Sequence, residues 1–436
     1  MAKSYVGFGF GPIQSGLFLF EAYKSGNFSR YVVAEIDAAL VAAIRDNGGA
    51  YTVNVAHPDG IEHCTVRGIE PANPNVPADR DALLGAIAAA DEMATALPSV
   101  TVYTAGDSAS VVQLLCDGLA KRPAMLPTVI YAAENHNHAA EILAEHLVHA
   151  QCRNRDHVQV LNTVIGKMSG VITDAPTIAR LRLQTLTPRL PRAVLVEEFN
   201  RILVTQIGFP GYRRGIEVFV EKPALLPFEE AKLYGHNAVH AMIAYLADLK
   251  DLHTIAEAGS DPWIMGRARK AFLAESGAAL TARHKALGDP LFTPEGYREY
   301  ADDLLQRMIN PNLNDLVARV GRDPARKLGY DDRLYGTMRV ALDHAIQPVN
   351  LALGAAAGIV SMVRRRTPSG VLSSGVFGGA GEPRLLPAAP ADLTRENLGR
   401  LLLELWRDKA DQHRDALIQL TWDGLQALRE SGLVRD

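Results

Sequence analysis

An N-terminal α/β, doubly wound sheet of Rossmann type followed by a mainly α-helical C-terminal half is the fold that three observations predict. A short apolar strand runs through a glycine-spaced turn into a helical pattern near the start of the chain. Strands and helices then alternate as far as residue 207, and beyond a Gly/Pro-rich connection long helical patterns dominate.

The opening segment, Ser4-Tyr5-Val6-Gly7-Phe8-Gly9-Phe10-Gly11-Pro12-Ile13-Gln14-Ser15-Gly16, supplies the strand, turn and helix start that a dinucleotide fingerprint requires. Gly9 would allow the tight turn and Gly11 the close approach of a pyrophosphate. Pro12 and Ile13 would open the helix whose N-terminus favours anions, and Gln14 stands where a third glycine is usual. Tyr31-Val32-Val33-Ala34-Glu35-Ile36-Asp37 reads as a buried parallel strand ending in carboxylates. Glu35, with Asp37 second, is therefore expected on the ribose of NAD, where a negative charge disfavours the 2′-phosphate of NADP.

Further strands are expected at residues 51–55, 100–104, 128–133, 158–165 and 193–197, with helices at 79–97, 108–121 and 139–150 between them. Ligands of an open α/β sheet bind beyond the carboxyl ends of its strands, which nominates Thr104-Ala105-Gly106 and Glu134-Asn135 for the cofactor. Gly208-Phe209-Pro210-Gly211 and Pro223 to Pro227 mark the change of character, so domains are expected at 1–210 and 211–436. Helices are expected at 228–249, 261–276, 293–309, 314–320, 330–346, 347–363 and 394–431, with a surface loop at 364–390.

At 436 residues and 48% hydrophobic content the chain can bury two cores, and a net charge of −4 argues against nucleic acid or an anionic membrane as partner. No apolar run is long enough to span a bilayer and no signal peptide precedes the first strand. Cys64, Cys116 and Cys152 lack metal-type spacing, which predicts reduced thiols in the cytoplasm.

Glu229-Glu230-Ala231-Lys232-Leu233-Tyr234-Gly235-His236-Asn237-Ala238-Val239-His240 carries the chemistry. In an α-helix His236 and His240 fall about 40° and 80° from Lys232, and Asn237 about 140°, so one broad face could converge on a ligand. Oxidising an alcohol needs a base whose pKa lies near working pH. Lysine qualifies once burial and a nearby positive ring disfavour its charged form. Lys232 is the expected general acid/base, Asn237 and Asn135 the expected donors to the developing alkoxide, and His240 the group that orients a neighbouring hydroxyl. His236-x-x-x-His240 lacks the Glu of zinc helices, so no metal is expected there. A metal-dependent hydrolase using His136 and His138 with His146, or His236 and His240, and a non-catalytic NAD-binding regulator, are the alternatives from other classes.

These residues resemble the polyol-specific long-chain dehydrogenase/reductase, or mannitol dehydrogenase, family. The resemblance runs through the glycine turn, Ala34-Glu35-Ile36-Asp37, Ala133-Glu134-Asn135 and a Lys-x4-Asn-x2-His signature at Lys232, Asn237 and His240. It continues through Glu275-Ser276-Gly277-Ala278, Asn310-Pro311-Asn312-Leu313, Arg319-Val320-Gly321-Arg322, Arg326-Lys327-Leu328 and Asp332-Arg333-Leu334. It implies a metal-independent, NAD-dependent oxidoreductase of CH–OH groups, acting in the cytoplasm as a monomer on a small polyol or polyol phosphate. The substrate it points to is a hexitol phosphate such as mannitol 1-phosphate, interconverted with its ketose; a non-phosphorylated polyol or a sugar acid is the alternative. Arg319, Arg322, Arg326, Lys327 and Arg333 offer guanidinium forks and an ammonium suited to phosphate oxygens, and Arg326, Lys327 and Arg333, with Lys167 and His236, are the expected substrate contacts. The chain departs from the family at Ile165-Gly166-Lys167-Met168, where a carboxylate is usual, and at Gln14.

Overall fold

The computed structural model describes residues 3–123, 126–365, 386–407, 409 and 412–434. Most of the expected 364–390 loop therefore lies outside the described residues. The chain forms two compact units, Met1–Leu226 and Pro227–Asp436.

In the first unit the strands are β1 (Lys3–Phe8), β2 (Phe28–Ala34), β3 (Tyr51–His57), β4 (Gly60–Val66), β5 (Ile69–Ala72), β6 (Glu92–Thr95), β7 (Thr128–Ala132), β8 (Val158–Val164), β9 (Ser169–Ile172), β10 (Ala193–Glu197), β11 (Leu203–Thr205) and β12 (Val220–Lys222). The main sheet has the order β12-β11-β8-β7-β6-β1-β2-β5, and its strands from β5 to β8 are all parallel. Its chain order reverses between β1 and β6, the switch point of a Rossmann sheet. β11 joins antiparallel to β8.

Two expectations change here. β3 and β10 do not enter the main sheet but form a second one, β4-β3-β10-β9, because His57-Pro58-Asp59-Gly60 folds β3 back on β4. The strand expected at residues 100–104 is a 3-10 turn (Val100–Thr104), and the true strand is β6, inside the stretch expected as helix. That helix ends at Ala89.

Apolar strands bury both faces of the main sheet. On one side Phe18, Tyr131 and Phe219 stack with ring centroids 5.4–5.7 Å apart, and on the other Leu83, Ile87, Leu115 and Leu143 are buried. Cys116 and Cys152 are joined in a disulfide, with Cα atoms 4.6 Å apart, so the reduced state expected of them is not what the fold holds. Cys64 is free and partly buried.

The second unit is helical. Val349–Arg364 is buried along most of its length and packs on Ala238–Leu249 and Arg414–Glu430. Gly354 and Gly358, one turn apart, admit the neighbouring helix: a Cβ at either would come within 2.6 Å of Met242 or 2.9 Å of Tyr245. The helix expected at 394–431 is two, Arg395–Leu405 and Arg414–Glu430. Among the described residues no helix is long and apolar enough to cross a membrane.

Candidate active site

The nucleotide end of the first unit is built by the turn after β1. Gly9 adopts φ +82°, which only glycine takes without strain, and its amide donates to Ala34 O at 2.9 Å. A Cβ there would meet Ala96 O at 3.0 Å, whereas Gly11 has nothing within 4 Å of the same position, leaving open space beside the helix start at Pro12 and Ile13. Glu35 accepts from the amides of Phe10 (2.9 Å) and Asp37 (2.8 Å), so its carboxylate is held at the end of β2 facing this turn.

The structure gives five of the expected cofactor residues other surroundings. Gln14 is fully buried, donating to Tyr5 OH at 2.7 Å beneath β1, in the space a Cβ on Gly7 would need. The close helix–strand contact that a third glycine usually supplies is made by Gly16 against Val196. Asp37 caps the helix Ala38–Asp46 through Ala39 N and Leu40 N and pairs with Arg192 at 3.3 Å. Thr104, Ala105 and Gly106 do not follow a strand; the residues that do are Ala96 and Leu97, after β6 and beside Gly9. An alanine-rich run that reads as helix hid them.

Glu134 is buried and accepts from Thr95 Oγ1 (2.9 Å), Leu97 N (2.9 Å) and the Tyr103 hydroxyl, so it shapes the loop after β6. Burial and Glu134 raise the Tyr103 phenol, which stays protonated to donate. Asn135 is exposed beyond the end of β7. Lys167 is buried with its ammonium on the carbonyls of Phe199 (2.8 Å) and Glu197, a strap between segments rather than an open substrate contact. Beside it the Glu197 carboxylate accepts from Met168 N at 2.5 Å.

In the second unit Lys232 does not sit in a plain α-helix. Ala231–Asn237 is a π turn between Leu226–Glu230 and Ala238–Leu249, so the angles expected at 100° per residue do not hold across it. Side chains support the widened turn: Thr337 Oγ1 donates to Tyr234 O at 3.1 Å and Tyr300 OH reaches Ala231 O at 3.4 Å. A second π turn, Ala271–Gly277, packs against the first; a Cβ on Gly235 would meet Tyr297 OH at 2.6 Å, and one on Gly277 the same ring at 2.7 Å.

Burial and the Arg333 guanidinium push the Lys232 ammonium down to about 8, against the opposing pull of Glu229. Burial, then His240, Arg307, Lys232 and Arg333, hold His236 well below its ordinary value, so it is a neutral ring. Its Nδ1 is buried without a hydrogen-bond partner, and its centroid is 5.9 Å from that of His240. Asn237 is half-buried on the same turn.

The expected cationic contacts are mostly engaged. Arg326 pairs with Asp323 (2.6 Å) and Asp332 (3.3 Å), Arg333 Nε with Asp332 (2.7 Å), and Arg319 with Asp315 (2.6 Å). Lys327 is buried with its ammonium on Val320 O, and burial with Arg333 and Arg326 lowers it to about 7. His136 and His138 are exposed with centroids 6.1 Å apart, and among the described residues no group of His, Cys, Asp and Glu is placed to hold a metal ion.

Residues 224–371 match the mannitol dehydrogenase C-terminal domain. Mannitol-1-phosphate 5-dehydrogenase of Halalkalibacterium halodurans is 31% identical over 359 residues, covering 82% of this chain and 87% of the relative. That of Bacillus licheniformis is 32% identical over 352 residues, covering 80% and 85%. The fold is shared with D-sorbitol dehydrogenase in substrate-free form (TM-score 0.75, 16% identity, 99% of this chain and 94% of that one). It is also shared with Pseudomonas fluorescens mannitol 2-dehydrogenase in a ternary complex with NAD and D-mannitol (TM-score 0.71, 16% identity, 99% and 93%). The chain belongs to the mannitol dehydrogenase family, oxidoreductases acting on CH–OH groups.

Proposed function

We propose that the chain is a metal-independent, NAD-dependent polyol dehydrogenase, interconverting a hexitol phosphate such as mannitol 1-phosphate with its ketose, with Lys232 as general acid/base. The observation that carries this reading is a lysine on a π turn whose ammonium burial and Arg333 bring to about 8, where it can both take and return a proton near neutral pH. The relatives' activity supports this substrate.

The first unit fits the dinucleotide: a positive-φ glycine, open space at Gly11 and a held carboxylate at Glu35 meet at the switch point of a parallel sheet. NAD, when bound, supplies the hydride acceptor. The chain's own part is proton handling. Neutral Lys232 takes the hydroxyl proton at Nζ while Asn237 donates to the oxygen as charge develops there. In the reverse direction the Lys232 ammonium returns the proton. His240 takes a neighbouring hydroxyl and so fixes the carbon chain.

A second reading, a non-phosphorylated polyol or a sugar acid, is favoured by the carboxylates already pairing Arg319, Arg326 and Arg333. Following NADH formation with polyols, sugar acids and their phosphates separates the two; turnover confined to unphosphorylated substrates would establish the second. A cytoplasmic monomer accords with either reading, and the Cys116–Cys152 pair is the observation against that compartment.

Two expected results belong here. Wild type should prefer NAD to NADP, and Glu35→Ser, which removes the charge held at the end of β2, should narrow that ratio about tenfold. An intrinsic NADP preference, read as kcat/KM for both cofactors, would refute the assignment of Glu35. Activity should also survive exhaustive EDTA dialysis, because Lys232 does the work a metal would do. Loss of activity that zinc restores would show otherwise.

A further inference from the structure

Behind His240 stands a buried carboxylate that the sequence reading passed over. Nε2 of His240 lies 3.0 Å from Asp315 Oδ2, within ion-pair distance, and neither buried atom has a hydrogen-bond partner. Asp315 is 5% exposed, and its backbone carbonyl accepts from Ile255 N at 2.9 Å, which fixes the segment that carries it. Its other oxygen, Oδ1, receives Nε (2.8 Å) and Nη2 (2.6 Å) of Arg319. Burial disfavours the Asp315 carboxylate, but His240 and Arg319 outweigh it and hold the carboxyl below its ordinary value.

For a neutral ring only one hydrogen-bond pattern satisfies this set. Arg319 has donors alone, so it claims an acceptor, and the remaining carboxylate oxygen can only accept as well. The proton between Asp315 and the ring must then sit on Nε2, because which ring nitrogen is protonated follows from the bond the other partner demands. We propose that Asp315, clamped by Arg319, is a positioning residue that fixes His240 in the Nε2–H form and leaves Nδ1 as a bare acceptor for a substrate hydroxyl. The last step rests on the reading of the Lys232 turn as a polyol site; the tautomer does not.

Asp315→Asn tests both parts. Arg319 would claim the single amide oxygen, leaving the amide N–H groups to face Nε2 and driving the ring proton to Nδ1. Long-range 1H–15N spectra, with the His240 signals assigned by their loss in His240→Gln, should show Nε2–H in wild type and Nδ1–H in Asp315→Asn. With a polyol that wild type oxidises, KM should rise about tenfold while kcat falls less and NADH affinity holds. Nδ1–H in wild type overturns the proposal without any variant, as does an unchanged tautomer in folded Asp315→Asn. The expected tautomers with an unchanged KM would overturn the hydroxyl contact alone. If wild type oxidises no polyol, the function proposed above fails while the spectra still decide the role of Asp315.

Discussion

Lys232→Ala should lower kcat for polyol oxidation by about a hundredfold to ten-thousandfold, the range expected when a positioned acid–base group is lost. The folded protein should still bind NADH, because the turn at Gly9 and Gly11 and the Glu35 carboxylate belong to the first unit. Titrating NADH beside the turnover assay separates the two effects. A binding-only role for Lys232 would instead raise KM and spare kcat. Asn237→Ala should lower kcat without removing the base, so its residual activity should keep the pH dependence of wild type.

The second large effect is on stability. Glu275 is buried between the π turn Ala271–Gly277 and the helix Val349–Arg364, whose first amides it receives: Asn350 N at 2.8 Å, Leu351 N at 2.9 Å and Asn350 Nδ2 at 2.7 Å. Burial raises its carboxyl, against the pull of these donors, yet the helix N-terminus is where negative charge is best tolerated. Glu275→Ala would strand those buried donors and should cost roughly 2–4 kcal/mol. A lower Tm by calorimetry, partly recovered in Glu275→Gln, is the expected result; an unchanged Tm would mean that water or a neighbour satisfies the helix end.

What could be read in advance followed from how local the determinant is. The turn at Gly9, the strand before Glu35 and the Lys232 segment each declare themselves within a dozen residues. β6 did not, because Glu92-Met93-Ala94-Thr95 continues an alanine-rich pattern and becomes a strand only by inserting between β1 and β7. Misplacing it moved the segment expected beyond the strand end from Ala96 and Leu97 to Thr104–Gly106. The second sheet was hidden for the same reason, since β3 pairs with β10 across more than half of the first unit.

In the site, residue types were legible and their geometry was not. A periodicity of 3.6 cannot reveal a π turn, which depends on Thr337 and Tyr300 taking carbonyls from another part of the chain. The arginines read as phosphate forks proved to be paired with Asp323, Asp332 and Asp315, acids that stand a few residues away in the sequence and give the one signal that was available. Asp315 could have been found the same way, four residues before Arg319, but its contact with His240 bridges distant segments.

The pH dependence of kcat/KM for alcohol oxidation tests the central claim most directly. Because oxidation needs the neutral amine, a lysine lowered to about 8 predicts a rate that rises through about pH 8 and then levels, while ketose reduction falls over the same range. The residual activity of Lys232→Ala should lack that rise. A wild-type profile that is flat through this range, or a Lys232→Ala profile that keeps the same inflection, would contradict Lys232 as the base.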